Sequence, residues 1–170
     1  MQVQQQRQEL VGESEMHVLP VLLCAPAVAH HMYPGYVFAT TLWGSALCIY
    51  SAATNAIVQI EDASFVGDVT ALVMSADGTR LAVGGTAGLA VVFRVTAGAS
   101  HAPALAQPRS DFVILRGHEA AVTALAFDPN GAVCATGAQD GRVCVHLLDT
   151  GRIVSAFPDL DRDVAIGRSG

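Results

Sequence analysis

The strongest constraint on the fold is an internal repeat. Laid without a gap on the stretch 115–151, an earlier part of the chain matches it. Val69-Thr70-Ala71-Leu72 falls on Val122-Thr123-Ala124-Leu125, Gly78 on Gly131, Gly84 on Gly137, and Gly88 on Gly141. A first unit fits too, with Leu47-Cys48-Ile49 on Val143-Cys144-Val145 and Thr54 on Thr150. The first two units are spaced by about 43 residues, a period that points to similar units stacked against one another. Within 115–151, short apolar runs alternate with the turns Asp128-Pro129-Asn130-Gly131, Asp140-Gly141 and Asp149-Thr150-Gly151, and a fourth run spans 153–157. Gly, Asn, Asp and Pro supply the backbone angles of tight reversals, so each unit reads as an antiparallel meander.

Four strands in about 40 residues resemble one blade of a WD40-type β-propeller. The expected fold is all-β, a partial propeller of about three WD40-type blades of four antiparallel strands each. The repeats are placed at 18–60, 61–99 and 111–157, with an inserted Ala-, Pro- and Ser-rich surface loop over 97–110. Residues 1–17 are expected to be a flexible N-terminal segment, and 158–170 a tail or the start of a further blade. Strands apolar on both faces, such as 90–93 and 143–148, suit sheets covered on both sides. Three blades alone would leave outer faces and edges bare. A longer parent chain or a second copy is therefore expected to complete the ring.

Composition narrows the function. Just over half of the 170 residues are hydrophobic, 14% are charged, and the net charge is −6. No Lys/Arg cluster offers the basic face that counterion-release binding of nucleic acid or an anionic membrane needs. Cys24, Cys48, Cys134 and Cys144 all lie in apolar runs and read as small buried hydrophobes in a reducing compartment. Neither CxxC-like nor HxxxH-like spacing occurs, so no metal and no cofactor is expected. The run 18–29 is interrupted by Pro20 and Pro26 and preceded by Glu9, Glu13 and Glu15, the wrong sign for a secretory signal. The glycines over 84–88 lead into a β-run rather than a helix, which makes them turn residues and not a phosphate cradle. No paired carboxylates, HExxH, GxSxG or P-loop pattern is present, and the chain is not expected to be an enzyme.

The polar residues of the third unit carry the resemblance further. His118, Asp140 and Thr136 correspond to the polar set of such blades, in which His and Asp in two loops at one end of the sheet hydrogen-bond across it. Their implied role is structural. A catalytic His–Asp pairing with Ser110 or Thr123 as nucleophile is the disfavoured alternative. The Trp-Asp dipeptide of the family is absent: His146-Leu147 stands in its place in the third unit, Phe93-Arg94 in the second and Tyr50-Ser51 in the first. The polar tetrad therefore reads as incomplete everywhere, with these blades leaning on apolar packing. Trp43 reads either as packing against a neighbouring blade or as an exposed anchor for a partner. With Thr86, Gln139 and Arg142, which occupy matching turns, it makes up the candidate protein-interaction set.

Two segments narrow the resemblance. Residues 42–51 (LWGSALCIYS), together with Val143-Cys144-Val145-His146 and Thr150-Gly151, resemble the C-terminal propeller of BEACH-domain proteins, the neurobeachin group. That resemblance implies a non-catalytic protein–protein interaction scaffold acting in vesicle trafficking. It also implies a cytoplasmic location, peripheral to intracellular membranes only through a parent chain or partners. The chain departs from the pattern in lacking an Asp after Trp43 and a Gly-His before Val69. The expected partners are other proteins, including a second copy that completes the propeller, and not nucleic acid. The alternatives are a propeller enzyme with a site in the central channel, or a truncated fragment without independent function.

Overall fold

The computed structural model describes residues 35–40, 45–97, 103–105 and 112–158. The expected strand at 18–27, the turn holding Trp43, and the segments 1–17 and 159–170 lie outside these residues. Twelve strands form three antiparallel sheets among the described residues, and none of the helical segments there is long and apolar enough to cross a membrane. The first sheet is β1 (Tyr36–Thr40), β2 (Ala46–Ser51) and β3 (Ala56–Asp62), in that order. The second has β4 (Val69–Met74), β5 (Arg80–Gly85) and β6 (Ala90–Ala97), extended by β7 (Pro103–Leu105) and β8 (Phe112–Leu115), which both pair with β6. The third is β9 (Val122–Phe127), β10 (Val133–Ala138), β11 (Val143–Leu147) and β12 (Ile153–Phe157). This is the all-β, partial-propeller architecture, with sheet faces packed on one another.

Repeat and sheet are offset by one strand. Residues 112–115 open the third sequence unit, yet they form the outer strand of the second sheet, pairing Ala90↔Leu115 through Phe93↔Phe112. The third unit is thereby tied covalently and by hydrogen bonds to the sheet before it. Inside the 97–110 stretch, Pro103–Leu105 is a short strand on the far end of β6, and Leu105 is buried in the core.

Cross-strand register sorts the side chains of the second sheet onto two unlike faces. Leu72, Met74, Leu81, Val83 and Val91 share one face and form a core with Phe38, Leu47 and Ile49 of the first sheet. The opposite face is lined by Ala71, Ala82, Gly84, Ala90 and Val92 and meets Val122, Cys134 and Leu148. These small residues let the third sheet come close. A Cβ on Gly84 would lie 2.8 Å from Val122 Cγ1, nearer than side chains pack. The middle sheet is thus buried on both faces, as its doubly apolar strands require.

The hairpin turns are held by side-chain oxygen atoms. In the β4–β5 turn, the Ser75 hydroxyl donates to Asp77 Oδ1 at 2.6 Å, and the Thr79 N–H donates to the same oxygen at 3.0 Å. The Arg80 N–H closes the loop onto Ser75 Oγ at 2.9 Å. At the matching place in the third sheet, Asp128 alone takes the N–H groups of Asn130 and Val133. The Ser75 hydroxyl, followed by the Thr79 N–H, holds the Asp77 carboxyl down to about 2. A depressed folded-state value means stability that is complete above the unfolded value of about 4 and lost as pH falls through the folded one. The stability gap between the wild type and Asp77→Asn should be constant above about pH 4 and close toward pH 2. Urea midpoints across that range measure it, and a gap indifferent to pH there would contradict the assignment.

Candidate functional site

Four connections meet at one end of the second and third sheets: residues 63–68, 86–89, 116–121 and 139–142. Close backbone approaches link them. A Cβ on Gly88, whose φ of 73° suits glycine, would lie 2.7 Å from the His118 carbonyl oxygen and 3.3 Å from that of Ala120. The Gln139 N–H donates to the Ala121 carbonyl at 2.9 Å, and the Thr86 hydroxyl accepts the Asp68 N–H at 3.0 Å. Thr86, Gln139 and Arg142 therefore stand at the same end, all three exposed. Arg142 faces Glu119 at 3.7 Å, an exposed pair of little energetic weight. The fourth candidate, Trp43, lies outside the described residues.

Beneath this rim is a buried polar chain. Asp140 accepts His118 Nδ1–H at 3.1 Å and also the N–H groups of Glu119 at 3.0 Å and Arg142 at 2.9 Å. One carboxylate thus joins two loops. With Nδ1 protonated toward Asp140, His118 Nε2 is an acceptor, and the Thr136 hydroxyl donates to it at 2.7 Å. Thr136 Oγ1 in turn accepts His146 Nε2–H at 3.0 Å. Each proton has one direction, from His146 through Thr136 and His118 to Asp140. Burial opposes charge on Asp140, but the two backbone N–H groups and His118 together hold its carboxyl below the usual range. Burial lowers His146, with the Gly151 carbonyl acting the other way.

The chain of bonds corrects one expectation from the sequence. The tetrad of the third unit has four members, because His146 offers the ring N–H donor at the position where the family pattern has Trp. Sequence matching registered the substitution at 146 but not that an imidazole could do the same bonding. The second unit fills the equivalent positions differently. By the repeat register, Phe65, Val83, Ala87 and Phe93 stand where the third unit has His118, Thr136, Asp140 and His146. Phe65 and Phe93 pack with ring centroids 6.4 Å apart, and Phe112 stacks on Phe65 at 5.9 Å. The same scaffold position is an aromatic cluster in one sheet and a polar clasp in the next.

Asp140–His118–Thr136 has the order of a carboxylate–imidazole–hydroxyl relay. Thr136 is 1% exposed, however, and its hydroxyl is held by a second imidazole, so no substrate carbonyl can reach it. Thr123 is exposed and forms no part of the chain of bonds, and Ser110 lies outside the described residues. The arrangement fastens loops together. One further feature is not explained by the clasp: single ligand atoms of His118, Cys144 and His146 all lie within 4.8 Å of one another. Alternation on β11 puts Cys144 and His146 on one face, a spacing that searches for helix or loop ligand patterns pass over.

Comparison with known proteins agrees with this architecture. The family model "WD domain, G-beta repeat" matches residues 110–146, a span running from just before β8 to His146. No curated protein matches the chain. Among solved structures, the chain is similar to the WD40 repeats of RRP9 (16% identity, TM-score 0.63, covering 82% of this chain and 39% of that one). It is similar to U3-55K (16%, 0.62, covering 82% and 40%) and to a chain of the mitotic checkpoint complex (20%, 0.58, covering 75% and 38%). The chain thus contains a WD40 repeat and has the WD40 propeller fold over about two fifths of the length of these structures. Repeats of this kind generally mediate protein–protein interaction, and no catalytic family is indicated.

Replacing Thr136 by Val keeps the shape and removes the hydroxyl shared by two imidazoles. Leaving both ring nitrogens unpaired should destabilise the chain by about 1–3 kcal/mol. The exposed Thr123→Val should stay within about 0.5 kcal/mol of wild type. Denaturant midpoints of the two variants provide the comparison.

Proposed function

We propose that this chain is a non-catalytic docking module, a run of propeller blades that works by binding further protein. One observation carries the reading: the outer face of the third sheet is apolar, and no sheet among the described residues covers it. Register places Ala124, Ala126, Ala135, Val143, Val145, Leu147 and Phe157 on that face. Val143 is 43% and Phe157 53% exposed, whereas the second sheet packs a core on each of its two faces. The occupant that fits is another blade, presenting the kind of alternating apolar face that the first two sheets present to each other. It comes from a second copy or from a longer parent chain. The rim holding Thr86, Gln139 and Arg142 is the proposed surface for other partners.

The finer reading, a cytoplasmic scaffold of BEACH type in vesicle trafficking, rests on residues 42–51 and 143–151 alone. Immunoblotting of the source cells with an antibody to the 115–151 stretch tests it. A band far above the mass of 170 residues supports a large parent, and a band at that mass opposes it.

Light scattering after gel filtration tests the docking reading itself. Wild-type chain should self-associate, as a closed assembly of defined mass where a second copy supplies the blade or as heterogeneous aggregate where a parent chain does, and Val143→Lys combined with Val145→Lys should reduce it to monomer with β-sheet circular dichroism retained. A stable wild-type monomer would overturn the proposal.

A further inference from the structure

We propose that His118, Cys144 and His146 form a binding site for a borderline-soft transition-metal ion of the zinc class. The site lies between β11 and the 116–121 loop. Two imidazoles and a thiol are the donors that zinc-class ions select, and they are poor ligands for magnesium or calcium. Their ligand atoms lie within 4.8 Å of one another. In a tetrahedral zinc site ligand atoms stand about 3.3–3.6 Å apart, so the longest separation must close by about 1–1.5 Å. Rotation of two imidazole rings spans that distance without moving the strand. The loop is already seated on the thiol, since a Cβ on Gly117 would lie 3.4 Å from Cys144 Sγ.

The surrounding hydrogen bonds prepare each ligand. Asp140 holds the Nδ1–H of His118, so that Nε2 presents its lone pair toward β10 and β11, the carboxylate–histidine arrangement that orients metal ligands. The Thr136 hydroxyl now donates into that lone pair, but the Cys144 carbonyl at 3.4 Å gives it a second acceptor to turn to. His146 supplies an independent pointer. It is fully buried, and its Nδ1 makes no hydrogen bond of ordinary length and angle, the Gly151 carbonyl notwithstanding, although buried polar atoms are almost always paired. With Nε2–H committed to Thr136, Nδ1 carries a lone pair that no donor takes up, and turning the ring offers it to a cation. Binding releases the Cys144 thiol proton to solvent as the thiolate–metal bond forms, and a water completes the coordination. The ion would fasten the loop to β11 directly, taking the place of the Thr136 bond to His118.

The test uses the full chain, stripped with a chelator and titrated with Co(II). The expected result is one equivalent per chain, with a near-ultraviolet thiolate-to-cobalt charge-transfer band that Zn(II) displaces. Cys144→Ser and His146→Gln should each lose the band and weaken binding at least tenfold, while Cys48→Ser keeps it. Glutamine can still donate to Thr136, so His146→Gln separates ligation from the clasp. Alkylation of the wild type, mapped by mass spectrometry, needs no variant to fold: Zn(II) should slow modification of Cys144 and leave Cys48 unaffected. Absence of the band, its survival in Cys144→Ser, or zinc protection of Cys48 in place of Cys144 would each overturn the proposal.

Discussion

Everything at the candidate site depends on how closely the third sheet approaches the second. Gly84 gives Val122 room, and the Thr70 hydroxyl, donating to the Val122 carbonyl with the Gly84 carbonyl at 3.2 Å, pins the start of β9 to the neighbouring sheet. Gly88 then lets the β5–β6 turn lie against the His118 and Ala120 carbonyls. These contacts fix the 116–121 loop from one side, while Asp140 fixes it from the other. His118 is left with one place to point, into the bonded chain over β10 and β11. A side chain at Gly84 or Gly88 would therefore disturb the clasp without touching any of its members.

The second and third sheets solve the same problem with different chemistry. Each must fasten the loop before its innermost strand to the turn between its middle strands. In the second sheet Phe65, Phe93 and Phe112 supply aromatic contact, and Thr86 bonds the Asp68 N–H. Aromatic packing contributes area but tolerates sliding. In the third sheet the bonded chain fixes both distance and direction, because each donor from His146 to Asp140 has a short bond to the next member, the Cys144 carbonyl at 3.4 Å being the longer alternative for Thr136. That order has a cost, since it strands the Nδ1 lone pair of His146. The aromatic version strands nothing.

Much of this was legible in the residues. The apolar runs 69–74, 122–127 and 153–157 coincide with β4, β9 and β12, because turn residues and alternation with a period of two mark strand ends sharply. The pairing of His118 with Asp140 belongs to the family pattern. Which sheet a strand joins was not legible: repeat boundaries follow sequence likeness, whereas β8 follows β6, whose apolar Ala90–Phe93 edge it completes. β7 was hidden inside a composition that reads as loop. His146 was seen as a departure from Trp-Asp, since its role depends on Thr136 ten residues earlier on the adjacent strand. The Cys144–His146 spacing gains meaning only once His118 is brought over it by contacts with another sheet.

Strand β11 draws the two halves of the reading together. Its residues alternate, with Cys144 and His146 turned to the buried face and Val143, Val145 and Leu147 to the open one. The inner set belongs to the clasp and to the proposed ion site; the outer set belongs to the proposed docking face. A sheet laid over Val143 and Val145 restrains the backbone that carries Cys144 and His146. Restraint of these two ligands lowers the entropy lost when His118 or a metal engages them, and the benefit runs equally in the other direction. Docking on the proposed face would thus be coupled to the clasp through a single five-residue strand, with no longer path between them required.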